Sequence, residues 1–423
     1  MVNVEEIKTA IEDREEELKE KFEKENIINR DEMDKVEKFI NTDIALIISG
    51  VRRCGKSVLA FMLGEDKNYG YVNFEDERLS MEGKDLNKVL EALYSLKGDP
   101  ELIIFDEIQN IDGWEKFIAR NISNKKIVIT GSNARLLSKE LATHLTGRHI
   151  DYTLFPFSFK EYLKLKGFSP DSYSTKNKVK LRKFFDEYME KGGFPLTHKI
   201  GKIFLSENYK DIIERDAVQR YNIRHTKSFK DMARHLISNA TNEITYNKLK
   251  EIFDIKSSHT AKSYFSYLEN SYLIFSLNRF SYKLKEQMKA PKKVYCMDTG
   301  MLDSMGFRFS PNRGKFLENL LAIELLRKTS HKDDLELYYW KDHKHREVDF
   351  VIKDKEEVKK LVQVTYASSE KEVKERETDS LLKASEDLKC NNLIIITYDY
   401  EDRKKIDGKE IKFFPCWKYL LKS

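Results

Sequence analysis

The eight residues from Gly50 to Ser57 constrain the fold of this chain more than any other stretch. They have the sequence GVRRCGKS and match the pattern GxxxxGKS. The apolar run IALIIS precedes this loop, and apolar residues at helical spacing follow it from Val58 onward. A strand, a glycine-containing loop and a helix in that order form the context that a phosphate-binding loop requires. The sequence therefore predicts an α/β nucleotide-binding core.

Each residue type in the loop has a role in holding phosphate. Two glycines allow backbone angles that a Cβ would obstruct, so successive N–H groups can point at phosphate oxygens. Lys56 is placed to reach the β and γ phosphates, and the Ser57 hydroxyl can be a ligand of Mg²⁺. We expect nucleotide contacts from the loop and the residue after it: Gly50, Val51, Arg52, Arg53, Cys54, Gly55, Lys56, Ser57 and Val58.

Polar residues follow two further apolar strands. The stretch ELIIFDEIQNI ends its apolar run in Asp106 and Glu107. We expect Asp106 to hold Mg²⁺ through water and Glu107 to polarise the water that attacks the γ phosphate. The alternative is a strand end that only exposes two acids to solvent. In KIVITGSNARLL, either Ser132 or Asn133 is the candidate sensor of the γ phosphate.

An arginine close to the next strand is a third catalytic candidate. Arg148 precedes the strand-like HIDYTLFPFS. An arginine there can stabilise transition-state charge in its own or in a neighbouring subunit. A plain surface arginine is the alternative, and the sequence does not decide between them.

Length and composition bound the class of protein. With 423 residues the chain is too long for a single domain with one hydrophobic core. Four scattered cysteines without a CxxC pair indicate neither a zinc site nor a disulfide framework. No run approaches the roughly 20 apolar residues of a membrane span, and the start of the chain does not look like a leader. We therefore expect a cytoplasmic protein without a membrane partner.

The middle of the chain is basic and has a helix-turn-helix pattern. Residues 221–300 carry 14 Lys and Arg against 7 Asp and Glu. Two helical stretches precede an apolar strand and a basic hairpin-like segment, as in a winged helix that binds DNA through its second helix and its wing. The alternatives are a solvated basic face and a winged helix used for protein contacts. The candidate DNA contacts are His259, Lys262, Tyr264, Lys283, Lys285, Lys292 and Lys293.

The last part of the chain carries an incomplete acidic site. The outline is that of a restriction-endonuclease-like site. It combines glutamates on a helix, an aspartate on a hairpin strand, and two residues that lie two positions apart on another strand. In such a site carboxylates hold Mg²⁺ and a lysine activates water. Gln363 is a neutral ligand, and Thr365 lacks the positive charge expected at its position. Strand alternation places Lys353 on the same face as Asp349, which makes Lys353 the candidate to replace the lysine missing at position 365. Nuclease activity is therefore the less favoured interpretation. The site candidates are Glu318, Glu324, Asp349, Gln363 and Thr365.

Together these residues resemble archaeal and bacterial AAA-type ATPases that join a P-loop core to a winged helix and a C-terminal restriction-endonuclease-like domain. The matching pieces are GVRRCGKS, IIFDEIQN, ITGSN, LTGRHIDYTLFPFSFKEYL, EKGGFP, DTG and EVDFVI. The resemblance implies binding of ATP and Mg²⁺ at Lys56, Ser57 and Asp106. The absence of a guanine-type NKxD sequence also favours ATP.

The sequence thus predicts an α/β chain with a mostly parallel P-loop sheet, helices, a winged helix and a C-terminal α/β region. The leading hypothesis is an ATP-hydrolysing enzyme whose nucleotide state controls a nucleic-acid-binding or partner-binding module. A slow nucleotide switch without turnover and an ATP-regulated nuclease remain open, as does the oligomeric state. The expected divisions are an N-terminal helical segment, the core, a helical lid or linker, the winged helix and the C-terminal domain, at 1–42, 43–156, 157–225, 226–300 and 301–423.

Overall fold

The computed structural model describes most of the chain in two compact units. The described residues are 3–42, 44–133, 147–169, 174–305, 313–332 and 334–422. The end of the predicted KIVITGSNARLL stretch, at 134–137, lies outside them. The first unit comprises Met1–Pro156, Lys164–Phe168 and Asn270–Tyr272, and the second comprises the rest of the chain.

The first unit is a parallel sheet covered by helices. Its helices are α1 Val4–Lys24, α2 Met33–Ile40, α3 Lys56–Met62, α4 Leu86–Lys97 and α5 Trp114–Asn121, with short 3₁₀ turns at Glu77–Leu79, Gly83–Asp85 and Ile108–Asn110. Its strands are β1 Ala45–Ser49, β2 Tyr69–Asn73, β3 Leu102–Asp106, β4 Lys126–Gly131 and β5 His149–Thr153.

The five strands lie in the order β2-β3-β4-β1-β5, and every pair is parallel. Strands β1 and β3 are buried along their whole length, which is why both appear in the sequence as continuous apolar runs. The register pairs Ser49 with Gly131 and Asn73 with Asp106. The residues that follow these strands therefore meet at one edge of the sheet, where ligands bind in open α/β sheets.

The N-terminal helical segment belongs to this unit. Helix α1 begins with a capping box in which the Asn3 and Glu6 side chains bond each other's backbone N–H groups. Its residues Ile7, Ala10 and Ile11 lie on one face and are buried with α4 and the strands in a single core. Burial of that apolar face explains why so highly charged a helix is ordered.

The second unit has one mixed sheet with helices around it. Its helices are α6 Phe159–Leu165, α7 Thr175–Lys191, α8 Thr197–Ile200, α9 Ile203–Asp211, α10 Thr226–Ser238, α11 Tyr246–Ile252, α12 Ser258–Asn270, α13 Leu284–Lys289, α14 Thr299–Met305, α15 Arg313–Thr329, α16 Glu375–Asp387 and α17 Cys416–Leu421, where α6 and α12 each end in the first unit. A π-helical turn spans Ile212–Gln219, and a 3₁₀ turn spans Glu370–Glu372.

The strands of this sheet are β6 Glu243–Ile244, β7 Ile274–Arg279, β8 Lys292–Cys296, β9 Leu335–Lys341, β10 Glu347–Asp354, β11 Glu357–Val364, β12 Leu393–Thr397, β13 Asp402–Ile406 and β14 Lys409–Pro415. Their spatial order is β13-β14-β12-β11-β10-β9-β7-β8-β6. Strand β7 pairs with β9 in parallel through Asn278 and Tyr338. The sheet is therefore continuous across position 300, where the sequence suggested a boundary.

The expected basic hairpin after β7 contains a helix. Strands β7 and β8 are antiparallel, and α13 lies within the connection between them. Among the residues that the structure describes, no helix combines the length and apolar character needed to span a bilayer.

Two of the short motifs in the sequence meet around Asp298. This aspartate of the DTG motif is 2% exposed and accepts backbone N–H groups from Gly193 at 2.7 Å and Met301 at 3.1 Å. A Cβ on Gly192 would lie 2.1 Å from its Oδ1, so the close approach requires glycine there. Burial raises the pKa of Asp298 to about 6. EKGGFP and DTG therefore form one structural lock.

Replacing Asp298 by Ala should destabilise the second unit, because two buried N–H groups lose their acceptor. We expect a loss of about 3 kcal/mol in the free energy of unfolding, measured by urea denaturation. Asp379→Ala, at an exposed position of α16, is the matched control and should change stability by less than about 0.5 kcal/mol. Equal stability of the two variants would contradict the lock.

Candidate nucleotide-binding site

The loop between β1 and α3 follows the tight course that its sequence predicts. Gly50 has a φ of 149°, and a Cβ there would lie 2.2 Å from the Leu154 carbonyl oxygen that follows β5. No side chain fits that space, so the close approach of the two strand ends requires glycine. The loop ends where α3 begins at Lys56.

Asp106 is the hub of the site. Its carboxylate is fully buried and accepts hydrogen bonds from the Ser57 hydroxyl at 3.0 Å, the Tyr71 hydroxyl at 2.5 Å and the Thr130 hydroxyl. Burial raises the pKa of Asp106, and the neighbouring charge of Glu107 raises it further. The Ser57 hydroxyl and the Asp106 carboxylate are hard oxygen donors within hydrogen-bond distance, so this pair fits Mg²⁺ chemistry.

Glu107 lies beside the loop lysine. Its backbone is left-handed with a φ of 53°, and its N–H donates to the Thr130 hydroxyl at 3.0 Å. Its carboxylate lies 3.6 Å from the Lys56 ammonium and accepts a bond from Gln109 Nε2 at 2.5 Å. Because Lys56 is 4% exposed, each buried charge is balanced by the other.

Ser132 and Asn133 follow β4 at the same edge of the sheet. Both are fully buried. The pairing of Ser49 with Gly131 places them beside the start of the loop. The strand end predicted for a phosphate sensor therefore lies at the site, and the choice between the two residues stays open.

Arg148, the candidate arginine for its own or a neighbouring subunit, lies at the end of the sheet away from the phosphate-binding loop of its own chain. Its carbonyl oxygen accepts the N–H of Ala45, at the start of β1, whereas the loop follows the end of that strand at Ser49. Four residues of strand separate these ends by roughly 13 Å. Arg148 is exposed, and an action in a neighbouring subunit stays a prediction.

The remaining loop side chains have structural partners. Arg52 pairs with Glu75 at 2.9 Å, and Arg53 is exposed with a φ of 68°. The Cys54 thiol is fully buried, lies 3.4 Å from the Leu154 carbonyl oxygen and has its pKa raised by burial. Such a thiol is protected from modification even without nucleotide, so labelling of Cys54 does not report on ATP binding.

Several residues of this site were not identified from the sequence. Arg30, 8% exposed, donates to the carbonyl oxygens of Cys54 at 3.3 Å and Phe155 at 2.8 Å. Tyr272 donates to the Ser49 hydroxyl at 2.7 Å. Tyr71 and Thr130 each come from a different strand than Asp106. The sequence signal for Tyr71 and Thr130 is a hydroxyl in an otherwise apolar strand, and that signal does not show that the partner is Asp106.

Comparisons with known proteins agree with this geometry. The AAA domain matches residues 42–163, and two domains of unknown function, DUF8612 and DUF4143, match 182–312 and 313–419. The uncharacterized protein MJ1544 of Methanocaldococcus jannaschii is 40% identical, over 93% of this chain and 94% of that protein. The chain belongs to the MJ1544 family of AAA-domain proteins.

Other relatives extend the MJ1544 family and its fold. An uncharacterized protein of Haemophilus influenzae is 31% identical, over 90% of this chain and 95% of its own length. The structure of the Walker-type ATPase PABY2304 of Pyrococcus abyssi is similar with 16% identity and a TM-score of 0.45, over 67% of this chain and 97% of that chain. The AAA-domain match confirms the predicted P-loop core and α/β class.

A second cluster of acidic residues lies in the second unit, around Lys293. Lys293 on β8 is 2% exposed, and its ammonium lies 2.7 Å from Glu318, 2.7 Å from Glu347 and 2.8 Å from Asp349. Burial alone would lower the pKa of Lys293, but these carboxylates raise it well above its usual value. Burial and then the charge of Asp349 raise the pKa of Glu318 to about 8.

Three expectations for this region are corrected. Lys293 is buried and does not lie in an exposed wing. Lys353 pairs with Glu336 and does not face Asp349, because the register of β10 shifts at a bulge between Ile352 and Lys353. Glu324 pairs with Arg327 at 3.4 Å and does not line the cavity that Glu318 lines. The lysine that contacts Glu318 and Asp349 therefore comes from β8.

Substituting Lys293 by Met should remove the cation that the carboxyl groups of Glu318, Glu347 and Asp349 share. We expect a loss of about 3 kcal/mol in unfolding free energy near neutral pH, with a smaller loss at pH 5, where protonated carboxyls carry no charge. Lys292→Met, one residue earlier and half-buried, is the matched control. Chemical denaturation of both variants measures the difference. A pH-independent loss would contradict the electrostatic cause.

Proposed function

We propose that the chain binds MgATP at the loop of residues 50–57 and hydrolyses it. The observation that carries this proposal is the convergence of two pairs, Ser57 with Asp106 at 3.0 Å and Lys56 with Glu107 at 3.6 Å. These are the residue types that a P-loop ATPase uses for metal, phosphate and water. The AAA-domain match over residues 42–163 supports it.

The roles follow from the contacts. Ser57 and Asp106 would hold Mg²⁺, which neutralises charge on the β and γ phosphates when bound. Lys56 binds the phosphates as a point charge. A phosphate oxygen that reaches Lys56 competes with Glu107 for the ammonium, which frees the Glu107 carboxylate to accept a proton from the attacking water. Tyr71 and Thr130 orient Asp106, and Arg30 supports the carbonyl of Cys54 within the loop.

Lys56→Ala should abolish ATP binding because the phosphates lose their buried cation. Glu107→Gln should retain binding and lower turnover by about a hundredfold or more, since the amide cannot accept the proton. Phosphate release and fluorescent-nucleotide binding measure the two effects. Glu101→Gln, exposed at the far end of β3, should behave as wild type. Wild-type turnover in both site variants would refute the proposal.

A slow nucleotide switch is the second candidate function. Glu107 already engages Lys56 and Gln109, so its carboxylate has to leave two partners before it can act on water. If these contacts persist in the ATP-bound chain, ATP orders the protein without turnover. Protection of wild type from proteolysis by ATP, together with phosphate release at background level, would favour the switch over the enzyme.

We further propose that residues 226–300 form a winged helix that binds nucleic acid. The order α10, β6, α11, α12, β7, β8 and the antiparallel set β6-β8-β7 support this fold. His259 and Lys262 are exposed on α12, whereas Tyr264 is 7% exposed and packs on Phe229. Tyr264 is therefore a core residue, in contrast to its predicted role as a DNA contact.

The connection between β7 and β8 has the chemistry of a nucleic-acid contact. Tyr282, Leu284 and Met288 are among the most exposed large apolar side chains. They alternate with lysines at 283, 285 and 289. Lysines bind phosphates, and exposed apolar side chains can wedge between bases. We propose that ATP state controls the affinity of this segment.

DNA affinity should fall steeply as salt rises if these lysines contact phosphates. Replacing both Lys285 and Lys289 by Gln should weaken binding and reduce the salt slope by roughly 2, measured by fluorescence anisotropy with and without ATP. The same change at two exposed lysines, Lys355 in the β10–β11 turn and Lys359 on β11, is the control. An unchanged slope in the first variant would exclude this segment as the contact.

A further inference from the structure

The turn that ends α12 contains a residue that such a turn does not favour. Tyr272 has a φ of 55°, and the N–H of Leu273 reaches back five residues to the carbonyl oxygen of Leu268 at 3.1 Å. That bond closes a Schellman-type helix end, in which the left-handed position is usually glycine or asparagine. A tyrosine is strained there because its Cβ crowds the following carbonyl oxygen. The helix end alone therefore does not explain the tyrosine.

The Tyr272 side chain makes a contact that glycine could not make. Its hydroxyl donates to the Ser49 hydroxyl at 2.7 Å, and the residue is 9% exposed. Both residues belong to the first unit. Burial raises the pKa of Tyr272 further above neutrality, which keeps the proton on the donating hydroxyl. The buried ring and its hydrogen bond together offset the strain of the left-handed backbone.

Ser49 is the residue from which the phosphate-binding loop starts. It is the last residue of β1 and directly precedes Gly50. Its carbonyl oxygen accepts the Leu154 N–H at 2.7 Å, at the point where a Cβ on Gly50 would meet the Leu154 carbonyl oxygen. Ser49 is thus bonded through its main chain to the neighbouring strand end and through its side chain to Tyr272. A shift at the start of the loop therefore acts on Tyr272.

The loop lysine is bonded to the same part of the loop. The Lys56 ammonium donates to the Val51 carbonyl oxygen at 3.3 Å, in addition to its contact with Glu107. A phosphate oxygen that binds this ammonium competes with the Val51 carbonyl, because charged acceptors form the stronger hydrogen bonds. Val51 lies two residues after Ser49. Phosphate binding at Lys56 therefore changes the bonds that hold the start of the loop.

The chain itself connects Tyr272 to the proposed winged helix. Tyr272 follows the end of α12, which carries the exposed His259 and Lys262, and precedes the start of β7. Residues Asn270–Tyr272 belong to the first unit, whereas the preceding part of α12 and the whole of β7 belong to the second. The hydrogen bond to Ser49 thus links the nucleotide loop to the last turn of α12 through one side chain.

We propose that Tyr272 is a positioning residue that couples nucleotide binding to the C-terminal end of α12. ATP orders the start of the loop and with it Ser49, so the hydrogen bond between Tyr272 and Ser49 opens less often. The last turn of α12 and the first residues of β7 are then held more firmly. This inference rests on the proposed binding of ATP, and it requires neither turnover nor nucleic acid.

Hydrogen–deuterium exchange of the full chain, with and without Mg²⁺ and a non-hydrolysable ATP analogue, tests this coupling. In wild type the nucleotide should slow exchange in the loop at 50–57, and by at least about fivefold in peptides that cover 268–277. Tyr272→Phe keeps the ring and removes only the hydroxyl. In this variant the nucleotide should still protect the loop, but it should change exchange at 268–277 by less than about twofold.

Two further variants control for a general loss of structure. Tyr94→Phe, the same change at an exposed tyrosine of α4 in the first unit, is the matched control and should keep the wild-type response. Ser49→Ala removes the acceptor and should lose the response at 268–277 as Tyr272→Phe does. The double variant should lose no more than either single variant, because both remove the same hydrogen bond. Thermal melting verifies that each variant is folded.

The outcomes separate this inference from ATP binding itself. Absence of loop protection in wild type overturns the proposed ATP site and the coupling with it. Loop protection without a change at 268–277 in wild type, or with the same change in Tyr272→Phe, overturns the coupling alone. Loss of the response in Tyr94→Phe would show a general effect of removing a tyrosine hydroxyl, and this result also overturns the role of Tyr272.

Discussion

The buried carboxylate of Asp106 is the constraint on which the first unit depends. A carboxylate with no exposed surface has to be satisfied inside the protein, and three hydroxyls from β2, α3 and β4 do so. Those bonds hold the ends of neighbouring strands and the first turn of α3 in one arrangement. Thr130 extends this hydrogen-bond network, because its hydroxyl also accepts the Glu107 N–H. The geometry of the loop is therefore supported from the side of the sheet.

The same principle recurs in the second unit with a different solution. Around Asp106 the partners are neutral hydroxyls, and the carboxylate keeps a raised pKa. Around Lys293 the partner is a cation shared by three acids. Buried charges of this kind add little net stability, but they require well-defined partner geometry to offset the cost of desolvation. Both clusters thus fix the relative positions of elements that are distant in sequence.

The sequence was sufficient where chemistry is local. GVRRCGKS, the strand ending in Asp106 and Glu107, and the apolar face of α1 are contiguous or periodic patterns, and each predicted its element correctly. For Arg148 the sequence left the acting subunit open, because adjacency in sequence does not tell which end of a strand lies at the loop. Lys353 was misjudged because strand alternation fails at a bulge. Lys293, Thr130 and Arg30 act across elements, and only the pairing of strands and helices brings them to their partners.

The parallel pairing of β7 with β9 has a mechanical consequence. Backbone hydrogen bonds run from β8 through β7 and β9 to β10, so this part of the sheet acts as a stiff plate. The exposed helix α13 is attached to the plate by β7 and β8, and Lys293 is a residue of β8. A load applied to α13 is therefore carried by the same strand that holds Glu318, Glu347 and Asp349 together. Any displacement of β8 therefore also moves the Lys293 ammonium relative to its three carboxyl partners.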